Sequence, residues 1–301
     1  MILTHDIGTR HAKRHLAVET VKRILLEFAK TRDPEATIAR LLRAARLAQF
    51  RKEEHPLRSC LVQLVLLYRS VSRHESALRC CRRLLRLDPS DVFGWLTAAR
   101  SARALGRHRE SLDFVKKGME LELAARRRYG AWLEAEMIFE AGVIARLLGD
   151  FQKTARCLRR FLRYPHVIVR DLPQKQKAQV LLEEAKFALG KGDVTGLARA
   201  AKAEFDVAKH SGIAAAAMAL AAQARGDVSS AEEWRTKAVN WALASTRVSL
   251  AEHEWQLTFA ILRRLPEVGP RRKEKERRQN EPRCDCQARL RPRPDSPFRV
   301  S

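Results

Sequence analysis

The stretch DVFGWLTAARSARALGRHRESL, residues 91–112, decides the fold of this chain. Gly106 interrupts its helical pattern, and a second amphipathic segment follows with the small residue Ser111 five places later. Leu-Asp-Pro at 87–89 ends the preceding helix, because proline cannot continue a helix. Before the glycine, apolar residues recur at the spacings of three and four that are typical of one helix face, and they are Trp95, Ala98, Ala99 and Ala102. The stretch therefore predicts two helices joined by a short turn.

Similar break points recur along the chain. Ser72 and Gly106 are 34 residues apart, as are Gly192 and Gly226, and each 43-residue spacing around Gly149 equals 34 plus an insertion of nine. Arg32 marks an earlier break. A period near 34 predicts an all-α, right-handed α-solenoid of about six helix-turn-helix pairs. A small residue follows five of the six breaks by about five places, where it lets paired helices approach closely, and these residues are Thr37, Ala77, Ser111, Thr154 and Ala231.

We divide the chain into four segments. Residues 1–17 form a basic N-terminal lead, and residues 18–245 form the helical repeat domain. Residues 246–265 are predicted to be a capping helix that covers the apolar face of the last repeat. Residues 266–301 are predicted to be a disordered basic tail, because this charged, proline-rich sequence lacks the apolar residues needed for a core. The apolar stripe of the capping helix includes Leu250, Trp255, Phe259 and Leu262.

The chain is strongly basic, with a net charge of +24 and a pI of about 10.6. The segment 266–301 contributes +5 of this charge, from 11 Lys/Arg and 6 Asp/Glu, so most of the excess belongs to the helical part. A body this basic attracts anionic partners such as acidic proteins, nucleic acid or anionic membranes. The alternative is a solvated arginine-rich surface without such a partner. No run of 18 apolar residues is present, so no transmembrane segment is expected.

The sequence contains no catalytic constellation, and we expect a protein that is not an enzyme and has no cofactor and no metal. Neither a GxSxG elbow nor a GxxxxGK(S/T) phosphate loop is present. His11 and His15 lack a third ligand nearby, and Cys284 and Cys286 form an isolated pair, so both pairs are interpreted as incidental. Six cysteines in a chain of this length are expected to be reduced thiols, which indicates a cytoplasmic location.

At its repeat positions the chain resembles the tetratricopeptide repeat family. The residues that carry the resemblance are Tyr68, Ala77, Pro89, Trp95, Gly106, Gly142, Gly149, Ala231 and Ala238. The resemblance covers the helical repeat domain, and the second and third repeats match best. The fifth repeat has Glu184 and Ala185 where the family prefers leucine and glycine. We expect Tyr68 and Trp95 to be buried between neighbouring helices and Ala77 to lie at a close helix contact.

The resemblance implies that the first helix of each pair lines the concave face of a superhelix. When the repeats are counted from Arg58, Val92 and Ala135, cations recur at the ninth and twelfth positions. These candidate groove residues are Arg69, Arg100, Arg103, Arg146 and Lys186. Guanidinium groups suit paired contacts with carboxylates or phosphates. The alternative is that these cations favour the helix macrodipole near helix C-termini and point into solvent.

Three functional hypotheses follow. The first is a non-catalytic scaffold or adaptor that binds a partner protein, expected to be acidic, in the concave groove. The second is a basic RNA- or DNA-associated repeat protein, which is weakened by the scarcity of aromatic rings for base stacking. The third is an accessory or regulatory subunit of an enzyme complex.

Overall fold

The structure, a computed structural model, describes residues 19–121, 131–165, 172–245 and 254–265. These residues form 13 α-helices and no strand, which confirms the all-α prediction. The helices are α1 (19–31), α2 (Pro34–Phe50), α3 (Glu54–Ser70), α4 (His74–Leu87), α5 (Val92–Ala104), α6 (His108–Glu120), α7 (Ala131–Leu147), α8 (Phe151–Leu162), α9 (Leu172–Ala188), α10 (Val194–Val207), α11 (Gly212–Ala224), α12 (Val228–Ser245) and α13 (Glu254–Leu262).

Several predictions concern residues that lie wholly or partly outside the described part of the chain. They are the basic lead at 1–17, the disordered tail at 266–301 and the two insertions that account for the 43-residue spacings on either side of Gly149, which are expected around 124–134 and 164–173. These stay predictions.

The helices up to α12 form six consecutive pairs, α1/α2 through α11/α12. Every helix from α2 onward packs against the next one in the chain, as expected for a helical-repeat solenoid. The first helices of successive pairs also touch, α3 with α5, α5 with α7, α7 with α9 and α9 with α11. We call the first helices α1, α3, α5, α7, α9 and α11 the inner layer.

Residues in the left-handed backbone region mark the turns inside the pairs. In four of the turns the residue is glycine with φ between +67° and +79°, a region that glycine enters at little cost. The fifth turn corrects the sequence interpretation, because its left-handed residue is Gly190 and not Gly192. A Cβ on Gly192 would lie 2.8 Å from the backbone nitrogen of Phe187. The left-handed residues of the six turns are Arg32, Ser72, Gly106, Gly149, Gly190 and Gly226.

Side-chain caps determine where several helices begin. The cap accepts a hydrogen bond from a backbone N–H in the first helical turn, where amides have no partner within the helix. At the opposite end of α4, Leu87 is the last helical residue and Asp88 is extended, in agreement with the stop predicted from Leu-Asp-Pro. The capping residues are Asp33, Asp91, Asp150, Asp193 and Ser211.

The small residue that follows five of the six turns lies at a helix contact. The Ser111 hydroxyl donates a hydrogen bond of 2.7 Å to the carbonyl of Ala99 in the paired helix. Gly142 shows the same close approach, because a Cβ there would lie 2.8 Å from Cδ2 of Leu158. None of the five small residues is more than 4% exposed, and they are Thr37, Ala77, Ser111, Thr154 and Ala231.

The two aromatic repeat residues occupy different environments. Tyr68 is buried in the core of the first pairs. Trp95 is only half-buried, contrary to the expectation that it would be buried. Its indole N–H donates to the carbonyl of Pro89 at 2.9 Å, and its ring lies 5.9 Å from the ring of Phe114. Trp95 therefore closes the edge between α5 and α6, where its polar N–H finds a partner.

The last helix, α13, packs against α11 and α12 of the sixth pair and also against α7 of the fourth pair. Its contacts therefore extend beyond the last repeat. Leu257 and Ile261 lie on its buried face, whereas Trp255 and Phe259 of the predicted stripe are half-buried. Leu250 lies outside the described residues.

Candidate functional site

Three of the five predicted groove cations form ion pairs between successive helices of the inner layer. Arg103 is 2% exposed and its Nε donates to the carboxylate of Glu140 on α7. Arg100 donates to Glu136 and to Glu140 on the same helix. Arg146 is also buried, and it makes the corresponding contact from α7 to α9.

The pair formed by Arg146 and Glu184 has bidentate geometry. Nε and Nη2 of Arg146 donate to the two carboxylate oxygens of Glu184 at 2.6 and 2.9 Å. Arg264, just beyond α13, donates to the same carboxylate at 2.7 Å. The ring of Phe151 lies 4.9 Å from the guanidinium of Arg146 and 5.3 Å from that of Arg264. The buried carboxylate of Glu184 is thus shared between two cations.

We call six residues the inner charge ladder, namely Arg100, Arg103, Glu136, Glu140, Arg146 and Glu184. Its cations and carboxylates balance, so the ladder carries no net charge. Burial by itself would raise the pKa of the Glu140 carboxyl, but Arg103 and Arg100 outweigh burial and hold this pKa below its ordinary value. Glu140 therefore stays ionised at neutral pH. The ladder connects α5 to α7 and α7 to α9.

Arg69 and Lys186, the other two predicted cations, are half-buried. Arg69 on α3 helps to lower the pKa of Glu140 by its charge. Nζ of Lys186 donates to Glu183, three residues earlier on α9, at 2.8 Å. Both side chains retain contact with solvent, as Arg100 does with 22% of its side chain exposed.

Helix α13 covers the C-terminal part of the inner layer, and the start of α13 is held by polar contacts. The backbone N–H of Gly212, at the first position of α11, donates to the carboxylate of Glu254 at 3.2 Å. Nζ of Lys177 on α9 lies 3.5 Å from the same carboxylate. Nε2 of Gln256 donates to the carbonyl of Arg103 on α5 at 3.0 Å. A carboxylate is favoured at this place because the N-terminus of α11 carries partial positive charge.

The other end of α13 contacts the inner charge ladder. Nη2 of Arg146 donates to the backbone carbonyl of Ala260 at 3.0 Å. Arg264 pairs with Glu184, as described above. Between the two ends, α13 packs its aliphatic side chains on the alanine-rich helix α11, whose alanines from 214 to 217 are fully buried.

The N-terminal part of the inner layer presents leucines to solvent. Leu26 on α1 is 64% exposed and Leu66 on α3 is 41% exposed. The two leucines are 40 residues apart, the same separation as between the turn residues Arg32 and Ser72, so they occupy equivalent repeat positions. Arg69 follows Leu66 by one helical turn. Apolar and cationic side chains thus lie side by side on this part of the layer.

The second helices carry rows of exposed arginines. On α4 these residues follow the helical repeat on the face that points away from the core, and the same is true of α8. The exposed arginines of the two helices are Arg79, Arg82, Arg86, Arg156, Arg159 and Arg160.

Sequence reasoning found the inner-layer cations but missed their carboxylate partners. One signal was present, since Glu184 replaces the leucine that the family prefers. A carboxylate at a helix-packing position needs a cation to offset its burial, and Arg146 lies 38 residues earlier. The contacts of Gln256 and Arg264 gave no such signal because they span 153 and 80 residues.

Within the described residues, no group of three or more His, Cys, Asp or Glu side chains could hold a metal ion. No helix of that part of the chain combines the length and the apolar character that crossing a bilayer requires. Cys60, Cys80 and Cys81 are buried free thiols, and burial raises the pKa of each.

Comparison with known proteins finds similarity of fold. The sequence matches no protein-family model and no curated protein. The crystal structure of PilW, a widely conserved type IV pilus biogenesis factor, matches with a TM-score of 0.54 and 15% identity over 74% of this chain and 91% of that one. A tetratricopeptide repeat protein from Parabacteroides merdae ATCC 43184 matches with a TM-score of 0.54 and 13% identity over 87% and 96%. This chain is therefore a helical-repeat protein with the tetratricopeptide repeat fold.

Proposed function

We propose that this chain is a non-catalytic scaffold that binds a segment of a partner protein on the N-terminal part of its inner layer. The observation that carries the proposal is the pair of exposed leucines, Leu26 and Leu66, at equivalent positions of neighbouring first helices. Arg69 lies beside Leu66 and supplies a cation next to the apolar surface. Arginine is enriched at protein-binding surfaces, and the buried centre of such a surface is more apolar than its surroundings.

The partner segment in this proposal is acidic. The net charge of +24 favours anionic partners at long range, and complementary charge speeds association. At short range, the partly exposed side chains of Arg69 on α3 and Arg100 on α5 are the contacts for carboxylates, whereas Lys186 lies on α9, outside this part of the layer. Arg103 and Arg146 have a different role in the proposal, since both are buried in the inner charge ladder and hold the first helices together.

In this proposal the chain catalyses no reaction and lies in the cytoplasm. The buried thiols of Cys60, Cys80 and Cys81 support a reducing compartment, because such thiols persist where disulfides are kept reduced.

Site-directed photo-crosslinking tests the proposal. A photoreactive amino acid replaces Leu66 on the inner layer in one variant and Arg86 on the outer face of α4 in a matched control. Both variants are irradiated in native lysate, and the crosslinked peptides are identified by mass spectrometry. We expect the Leu66 position to capture one protein repeatedly through a segment rich in Asp and Glu, and the Arg86 position not to capture it.

Salt and nuclease distinguish the alternatives. Capture of the acidic segment should fall as ionic strength rises, because exposed charge contacts are screened over about 8–10 Å. Capture that survives nuclease treatment supports a direct protein partner. Loss of all capture after nuclease would favour the nucleic-acid hypothesis, in which affinity depends steeply on salt and little on sequence. Capture from Arg86 alone would contradict binding on the inner layer.

A further inference from the structure

We propose that the inner layer over α7, α9 and α11 is a second binding site, which takes an amphipathic helix, and that α13 occupies this site within the chain in place of a partner helix. The site lies apart from the exposed leucines on α1 and α3, so it extends the proposed function to a second surface.

The contacts of α13 resemble those of a bound ligand. The helix has nine residues, a length that is marginal for an isolated helix in water. Its first residue, Glu254, accepts a hydrogen bond from the N-terminus of α11 and forms an ion pair with Lys177. Just after its last residue, Arg264 forms an ion pair with Glu184. The site thus distinguishes the acidic start of the helix from its basic end, which determines the direction in which a helix can bind.

The two buried carboxylates of the site, Glu184 and Glu140, do not depend on α13 for a cation. When Arg264 leaves, Glu184 keeps its bidentate pair with Arg146. When Gln256 leaves, the side chain of Arg103 keeps its pair with Glu140. Neither of these two carboxylates would be left without a cation, and an unpaired buried charge is the main cost of opening a polar contact. The inner charge ladder therefore preserves the shape of the site without its occupant.

These contacts define the chemistry of a partner helix. The helix needs a carboxylate in its first turn, an amide two residues later, aliphatic side chains at the places of Leu257 and Ile261, and a cation ten residues after the carboxylate. It must also approach α11 closely, because a Cβ on Gly212 would lie 2.8 Å from Oγ1 of Thr258. In this chain the pattern reads EWQLTFAILRR, residues 254–264.

The experiment uses a fluorescein-labelled synthetic peptide of residues 252–266 and the full chain with Cys284→Ser and Cys286→Ser. A released variant carries Leu257→Asp and Ile261→Asp, which place charges on the buried face of α13. A locked variant carries Gly212→Cys and Thr258→Cys, because a Cβ at position 212 would lie 2.8 Å from Oγ1 of Thr258, so the two introduced side chains would be in contact. Peptide binding is measured by fluorescence anisotropy, and helicity is checked by circular dichroism.

We expect the released variant to bind the peptide. The oxidised locked variant should bind it about 30-fold more weakly or not at all, because a site that is seldom vacant has a reduced apparent affinity. Reduction of the disulfide between positions 212 and 258 should restore the peptide affinity of the chain without the disulfide. The peptide with Arg264→Glu should bind the released variant about tenfold more weakly or worse, since its carboxylate would face Glu184. The matched peptide with Arg263→Glu should bind within about threefold, because Arg263 is exposed.

Three outcomes would overturn the proposal. The first is a folded released variant that shows no peptide binding at protein concentrations up to about 200 μM, which would mean a dissociation constant weaker than about 1 mM. The second is equal binding to the locked and reduced chains. The third is a dimer, detected by light scattering, in which two copies exchange α13.

If the released variant does not fold, hydrogen exchange of residues 254–262 in the wild-type chain replaces it as the test. Excess peptide should accelerate exchange of these residues, because it competes with α13 for the site, and an unchanged exchange rate would overturn the proposal. Crosslinking at Leu66 is independent of all these outcomes, so each proposal can fail alone.

Discussion

Arg146 and Glu184 form a buried bidentate ion pair that connects α7 to α9, and the same carboxylate binds Arg264 from the C-terminal turn. One side chain thus takes part both in the repeat-to-repeat packing and in the attachment of the last helix. Removal of the Glu184 side chain therefore affects both contacts, unlike removal of a side chain from an exposed pair such as Arg73 with Glu35.

Glu184→Ala should lower the free energy of unfolding by roughly 3–5 kcal/mol, because it leaves two cations without their shared carboxylate. Joint replacement by Arg146→Met and Glu184→Leu should cost less than the single change, since no buried charge remains unpaired on α7 or α9. Urea unfolding followed by circular dichroism measures both. Arg73→Ala, at an exposed pair with Glu35, is the control and should cost no more than about 1 kcal/mol. Equal losses at the buried and exposed pairs would refute this account.

Ala77→Leu should destabilise the chain by roughly 1–3 kcal/mol, because the fully buried Ala77 leaves no room for a larger side chain. Ala39→Leu on the exposed face of α2 makes the same chemical change and should alter stability by less than about 0.5 kcal/mol. Thermal melts of the two variants give the comparison. An unchanged melting temperature for Ala77→Leu would mean that this contact is not closely packed.

Gly106→Ser should cost about 1 kcal/mol, since Gly106 has φ of +74°, which side-chain-bearing residues enter only with strain. Space is not the cause, because no atom outside the local chain lies within 4 Å of the Cβ position. The reciprocal change, Ser72→Gly, should not destabilise, since Ser72 already has φ of +57°. Denaturant unfolding of both variants tests the pair. A loss from Ser72→Gly as large as that from Gly106→Ser would contradict the conformational explanation.

The stability of the chain should fall in alkaline solution partly through Cys60. Burial raises the pKa of its thiol from 9.0 to about 11. Above pH 9 the unfolded chain loses this proton while the folded chain keeps it, so the contribution of Cys60 is complete below pH 9 and is lost as the pH rises toward 11. Urea unfolding of the wild type and of Cys60→Ala between about pH 8 and pH 10.5 isolates the effect. The wild type should show the steeper decline, and parallel curves would exclude a role for this thiol.

The fold was predictable because its determinants are local. Gly106, the Leu-Asp-Pro stop and the small residues after the turns each act within one helix pair, and their repetition shows the period directly. The sequence could not distinguish Gly190 from Gly192, because both glycines lie in one short turn and only the backbone angle separates them. The position of Trp95 in the repeat pattern predicts a buried side chain, whereas its indole N–H needs a polar partner at the edge of the core.

The candidate sites were predictable only in part. The register of the repeats identified Arg100, Arg103 and Arg146 as inner-layer residues. Their partners could not be read from the same pattern, because a cation that recurs every repeat looks the same whether it faces a ligand or a carboxylate on the next helix. The position of α13 depends on contacts between residues more than 100 positions apart, for which a single sequence carries no spacing rule.

The contacts of α13 also affect the order in which the chain can fold. The helix pairs form from neighbouring segments, and such local structure forms early and rapidly. The hydrogen bonds from Arg146 to Ala260 and from Gln256 to Arg103 close loops of 114 and 153 residues, which carries a larger entropic cost. During synthesis, the ladder between α5, α7 and α9 can assemble as soon as α9 has left the ribosome, whereas α13 emerges about 70 residues later. Each newly made molecule therefore passes through an interval in which the repeats are folded and the inner layer over α7 and α9 is still open.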